Sequence, residues 1–105
     1  MYIPADLKKA VIAVLNGKTS GNIVWENVVP LGGGCINDVC RVVTNRDEFV
    51  LKFNDDKAYP GMFEAESAGL TILGDTRTLR VPEVIGQGAA GGCSFLLLEY
   101  IRPGA

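Results

Sequence analysis

The sequence predicts an α+β domain built on one five-stranded antiparallel sheet, with an N-terminal helix and a second helix packed against it. Three observations predict it. Apolar residues recur at helical spacing in two stretches, and β-branched or aromatic residues concentrate in five others. The order along the chain is helix, three strands, helix, two strands, which suits a single sheet covered by helices better than a set of parallel crossover units.

The elements follow in order. Pro4 near a helix start, Leu7, Val11, Val14 and Leu15 at helical intervals, and a stop at Asn16-Gly17 predict a helix over about 4–16. After the polar break at Thr19-Ser20-Gly21-Asn22, residues 23–31 are rich in β-branched residues and form strand one, with Pro30 suited to an edge or an end. The glycines at 32–34 interrupt it, and Val39–Val43 resumes as strand two. A turn at Asn45-Arg46-Asp47 leads back into strand three, Phe49–Phe53. Residues 61–73 carry Phe63, Glu66, Leu70 and Leu73 at three- and four-residue spacing and predict the second helix, with Gly74 as its stop. Residues 81–85 predict a short fourth strand and 86–92 a loop. The apolar run from Ser94 to Ile101 predicts a buried fifth strand.

A chain of 105 residues has room for one domain, residues 1–105, with one modest core. A hydrophobic share of 48% and a charged share of 21% match an ordinary globular protein. The net charge of -2 offers no broad basic field, so neither nucleic acid nor an anionic membrane is expected as a partner. No apolar run approaches the roughly 20 residues needed to span a bilayer, and Asp6, Lys8 and Lys9 stand where a signal peptide would be apolar; a cytoplasmic location is expected. Cys35, Cys40 and Cys93 are odd in number and lack C-x-x-C spacing, which points to reduced thiols and not to a disulfide framework or a metal site. The absence of histidine removes the commonest general base and the commonest metal ligand.

The glycine run in Leu31–Val39 lies between two strands, whereas the phosphate loops of Walker and Rossmann type lie between a strand and a helix. Such a hairpin can bring backbone N–H groups close to phosphate oxygens, because glycine has no Cβ in the way. A flexible hairpin tip is the plainer reading. Gly17-Lys18-Thr19 imitates the end of a Walker motif, but position 12 is Ile and the segment follows a helix, so it is set aside. Lys52 is the only charge in the run Phe49–Phe53, and an ammonium on a half-buried strand calls for an anionic partner. A lysine snorkelling from a sheet edge is the alternative. Glu64 and Glu66 point to different sides of the second helix. Glu66 shares the side of Phe63 and Leu70 and is the chosen partner, while Glu64 suits a solvated face. A strand lysine paired with a helix glutamate beneath a glycine-rich hairpin is a recurring arrangement for holding ATP phosphates.

The fifth strand, taken alone an ordinary core strand, ends in Phe95-Leu96-Leu97-Leu98-Glu99-Tyr100-Ile101 and looks like a kinase strand that runs into the hinge. Five stretches together carry a resemblance: LGGGCINDV at 31–39, FVLKFN at 49–54, MFEAESAGLTILG at 62–74, RVPEVI at 80–85 and FLLLEYI at 95–101. In this order they resemble the fructosamine (ketosamine) kinases and, more distantly, the aminoglycoside phosphotransferases. The resemblance implies a protein-kinase-like N-lobe whose second helix is αC-like, with ATP and Mg²⁺ as cofactors and ketosamines or sugar amines, free or protein-bound, as acceptors. It makes Lys52 the phosphate-binding lysine, Glu66 its helix partner, and the loop of Gly32, Gly33, Gly34, Cys35, Ile36 and Asn37 the phosphate cover. Leu98 falls at the gatekeeper position, and Glu99, Tyr100 and Ile101 form the hinge, whose backbone would pair with adenine.

The departure from the family pattern is large. The catalytic loop of His-Gly-Asp type and the later metal-binding Asp belong to a helical second lobe, so no catalytic or metal-binding residue is expected in this chain, which would be inactive alone. The readings are thus the ATP-binding lobe of a ketosamine kinase, that of an aminoglycoside or other small-molecule kinase, or a non-catalytic interaction module. Cys35, among loop N–H groups that favour a thiolate, is a redox candidate, since some proteins resembling this family link two protomers by a disulfide there; a small residue tolerated in a tight loop is the alternative. Cys40 and Cys93 read as buried filler. An exposed sheet underside and hinge strand predict a homodimer or other self-association, by exchange of the first strand or a Cys35 disulfide.

Overall fold

A computed structural model of the chain describes residues 2–33, 38–55, 57, 61–76 and 81–102, with the side chains of 32–33 and 73–76 left undescribed. The elements are α1 (Ala5–Lys18), β1 (Trp25–Gly33), β2 (Asp38–Thr44), β3 (Glu48–Asp55), α2 (Met62–Thr76), β4 (Val84–Ala90) and β5 (Cys93–Glu99). The strands form one antiparallel sheet in the order β1-β2-β3-β5-β4, the predicted α+β architecture. Among the described residues no helix is long and apolar enough to cross a membrane.

Two cores form because the strands alternate. Phe49, Leu51 and Phe53 on β3 join Cys40, Val42, Phe95 and Leu97 on one face, where Leu7, Val11 and Leu15 of α1 cover them. On the other face Leu96 and Leu98 meet Phe63 of α2, with Val50, Leu70 and Val84 at the margin. Each face of the sheet thus carries a helix, with α2 over β4 and β5. The expected exposure of the hinge strand is corrected over residues 95–98, which are all buried, while Glu99, Tyr100 and Ile101 are half-buried.

The ends of the elements depart from the sequence reading for physical reasons. The helix does not stop at Asn16-Gly17 but runs to Lys18, where the Thr19 hydroxyl donates to the Leu15 carbonyl. Asn16 is instead used at long range, its side-chain oxygen accepting the Ile23 N–H. The left-handed backbone that a glycine stop supplies falls later, at Gly21 (φ 92°) and Asn22 (φ 63°). β1 starts at Trp25, not Ile23, and extends through the glycines to Gly33. As an edge strand it tolerates Pro30, beside an irregularity between Pro30 and Gly33. The second helix passes the expected stop at Gly74 and ends at Thr76.

β4 is the largest correction. It begins at Val84 and runs on through 86–90, where the sequence reading placed a loop, and only Gly91 (φ 62°) and Gly92 (φ 79°) make the turn into β5. A glycine suits position 86 of this strand because α1 crosses it closely: a Cβ there would lie 2.6 Å from a Val14 methyl. Valine on a helix has little rotamer freedom to move away. Gly86→Ala should therefore destabilise the fold by about 1–3 kcal/mol in urea unfolding, and adding Val14→Ala should recover part of that loss. Equal stability of Gly86→Ala and the unaltered chain would mean that the helix does not press on the strand at this point.

Candidate functional site

Residues paired directly across antiparallel strands share a face. Val39 stands opposite Lys52 and Lys52 opposite Leu96, while Arg41 stands opposite Val50 and Val50 opposite Leu98. These two rows lie on the face covered by α2, away from the α1 core. Lys52 thus takes the face of β3 opposite to that of Phe49, Leu51 and Phe53.

The Lys52 ammonium lies 2.6 Å from a Glu66 carboxylate oxygen, and each side chain keeps 27% of its exposure. Glu66 reaches the strand because Phe63, one helical turn earlier, is buried against Leu96 and Leu98 and fixes the rotation of α2. Glu64, by contrast, is exposed. The pair is sheltered enough to be ordered and open enough for a solvated anion to reach the ammonium.

The β1–β2 connection springs from the same end of the site. Gly33 pairs with Asp38, and Val39 faces Lys52, so β2 begins one residue from the lysine row. Gly32 and Gly33 close β1. Gly34, Cys35, Ile36 and Asn37, including the redox candidate, lie outside the described residues. At the other end Leu98 is buried beside Val50 and Phe63. Glu99 ends β5, its N–H donating to the Glu83 carbonyl at 2.8 Å and its side chain accepting the Glu83 N–H at 3.2 Å. That N–H is thus committed within the sheet, at the point where the expected hinge begins.

The sequence reading missed Arg41 and Glu48. Arg41 lies over the Tyr100 ring and beside Glu48, which also pairs with Arg102. The signal that singled out Lys52 was present here too, since Arg41 is the lone charge among Val39–Val43. A cavity of about 260 Å³ opens near the hinge, with Asp47, Glu48, Glu83, Glu99 and Tyr100 in its lining. Its carboxylates make it a poor seat for phosphate, which Lys52 suits. Among the described residues no group of three or more His, Cys, Asp or Glu is gathered to hold a metal ion. The deeply buried Cys40 thiol is pushed up to about 11, by burial first and by the charge of Asp38 second. A thiol that ionises later in the folded chain than in the unfolded one stabilises the fold fully below about pH 9 and loses that contribution as pH rises toward 11. Iodoacetamide at about pH 8 should accordingly modify Cys40 no faster than the chain unfolds, as read by peptide mass spectrometry. Labelling at the rate of an unfolded peptide would show the thiol to be accessible.

Comparison with known proteins accords with these features. The fructosamine kinase family matches residues 7–105. A Synechocystis sp. protein carrying a ketoamine kinase name is 36% identical over 70% of this chain and 25% of its own length. A protein-ribulosamine 3-kinase of Oryza sativa subsp. japonica, named as chloroplastic, is 39% identical over 73% of this chain and 22% of its own. A crystal structure from Haemophilus somnus that carries a fructosamine-3-kinase name superposes with a TM-score of 0.81 at 29% identity, covering 90% of this chain and 32% of that one. The chain spans about a quarter of the length of these curated relatives. The sheet with its two helices is thus a protein-kinase-like fold, and the chain belongs to the fructosamine kinase family.

Proposed function

We propose that this chain is the nucleotide-binding lobe of an ATP-dependent kinase that phosphorylates a sugar hydroxyl of ketosamines, free or protein-bound. The observation that carries the reading is the Lys52–Glu66 pair, 2.6 Å apart on the sheet face from whose end the glycine-rich β1–β2 connection leaves. ATP would supply the phosphoryl group. In this reading the Lys52 ammonium binds phosphate oxygens, and Glu66 holds that ammonium in place when the site is empty. Val39, Val50 and Leu98 offer an apolar wall for the adenine ring, and the backbone of Tyr100 and Ile101 offers hydrogen-bonding groups for its edge. Mg²⁺ would arrive as the ATP complex. No general base is assigned to this chain.

The acceptor class rests on the relatives, whose names specify ketoamine, ribulosamine and ketosamine kinases. A cytoplasmic location is part of the same reading and rests on the odd number and spacing of the cysteines. Self-association is retained as part of the proposal, since β1 is an edge strand and carries the exposed Leu31, with the exposed Val24 just before it. A monomer by light scattering at high concentration would remove it. Calorimetric titration of the chain with MgATP tests the central reading: saturable binding is expected, and an unresponsive chain at millimolar nucleotide would overturn it. ATP consumption with fructosyl-lysine, by the longest gene product that contains this chain, reads the acceptor.

A further inference from the structure

We propose that Arg41 is a positioning residue for the hinge: with Glu48 it clamps Tyr100 and Arg102 to the site face of the sheet, and so holds the backbone of Ile101 between them. The inference rests on the nucleotide reading above and adds to it the device that orients the adenine side of the site.

β5 ends at Glu99, paired with Phe49, and residues 100–102 continue without strand structure. Backbone pairing within the sheet therefore stops just before the residues that adenine would use. Side chains take over. Arg41 stands opposite Val50, and Glu48 lies two residues before Val50 on β3, so both project from the Lys52 face. The Arg41 guanidinium lies 5.3 Å from the centroid of the Tyr100 ring, and its Nη1 donates to the Tyr100 hydroxyl at 3.4 Å. Arg41 Nε is 3.3 Å from one Glu48 oxygen, while the other Glu48 oxygen accepts from Arg102 Nη2. One strand arginine and one strand carboxylate thus hold the side chains on both sides of Ile101.

The members are unequal. Arg102 is 72% exposed, so solvent screens its half of the arrangement, whereas Arg41 is 29% and Glu48 16% exposed. Arg41 Nε is buried and makes no hydrogen bond, so its attraction to Glu48 is Coulombic and its directional contacts are those to Tyr100. A planar guanidinium can cover a ring and face a carboxylate at once; an ammonium presents no such plane. Ordering the hinge before the ligand arrives removes a cost that binding would otherwise carry.

The test joins NMR relaxation of the backbone amides on the ligand-free chain with titration by adenosine and by MgATP. Arg41→Met should lower the order parameters of Tyr100–Arg102 to about 0.6 or below while those of Leu96–Leu98 stay at about 0.85. It should weaken adenosine by about fivefold, with MgATP weakened in the same proportion. Arg41→Lys should restore only part of either effect, and Tyr100→Leu, which leaves both strands untouched, should reproduce them. Unchanged order parameters at 100–102, or an adenosine affinity within about twofold of the unaltered chain, overturns the positioning role. An unaltered chain that binds neither ligand overturns the nucleotide reading instead, and is seen before any variant is compared.

Discussion

Lys52→Met is expected to weaken MgATP binding by about tenfold or more and to leave adenosine binding within about twofold. Methionine keeps the length of the side chain and its packing along the strand but removes the ammonium, so only the phosphate-dependent part of the affinity should go. The same substitution should cost little stability. Both members of the pair are 27% exposed, and a solvent-screened ion pair contributes about 1 kcal/mol or less to folding. A large loss of nucleotide beside a small change in urea midpoint is the signature of a binding residue. Glu66→Gln preserves the shape of α2 and releases the ammonium, and should have the smaller effect. The affinity should also fall as salt is raised, since the attraction is between a partly open cation and a polyanion. If Lys52→Met binds MgATP as the unaltered chain does, the lysine is a structural partner of α2 and the phosphates are held elsewhere.

The largest effect on stability is expected at Leu97. It is fully buried on β5, opposite Leu51 on one side and Gly86 on the other, in the core that α1 closes. Leu97→Ala should cost about 3 kcal/mol, from lost burial and from a cavity that two strands and a helix cannot all collapse into. For a domain of this size that lowers Tm by roughly 15 °C. Its neighbour gives the contrast. Leu96 is equally buried but faces the other way, toward Phe63 and the smaller α2 core. Leu96→Ala should leave the α1 core intact and loosen the docking of α2, and with it the placement of Glu66. Thermal unfolding and MgATP titration of both variants separate the cases: Leu97→Ala should act mainly on Tm, and Leu96→Ala should lose more affinity per degree of Tm. Indistinguishable behaviour would mean that the two faces of the sheet are not separate cores.

Much of this architecture was legible because it depends on local pattern. The alternation through Phe49, Leu51 and Phe53 places Lys52 on the opposite face whatever the rest of the chain does, and the spacing of Phe63, Glu66 and Leu70 selects Glu66 over Glu64. The boundaries were less legible. Gly86 and Gly88 read as loop residues, yet they pair within a strand, where Val14 and the Phe95 ring occupy the space their side chains would fill. Asn16 read as a helix stop, yet it serves as an acceptor for Ile23. Arg41 was overlooked because its partners, Glu48, Tyr100 and Arg102, come from β3 and from the segment that follows β5.

Which side of a strand or helix each residue faces could be read from residue order alone, since that periodicity is a property of the backbone. Which of those faces meet emerges from the packed chain: Glu66, 14 residues from Lys52, closes on its ammonium, and Arg41, 59 residues from Tyr100, covers its ring. Such meetings depend on strand order and helix docking, where distant side chains compete for the same space and the same charge, and no local pattern records the outcome.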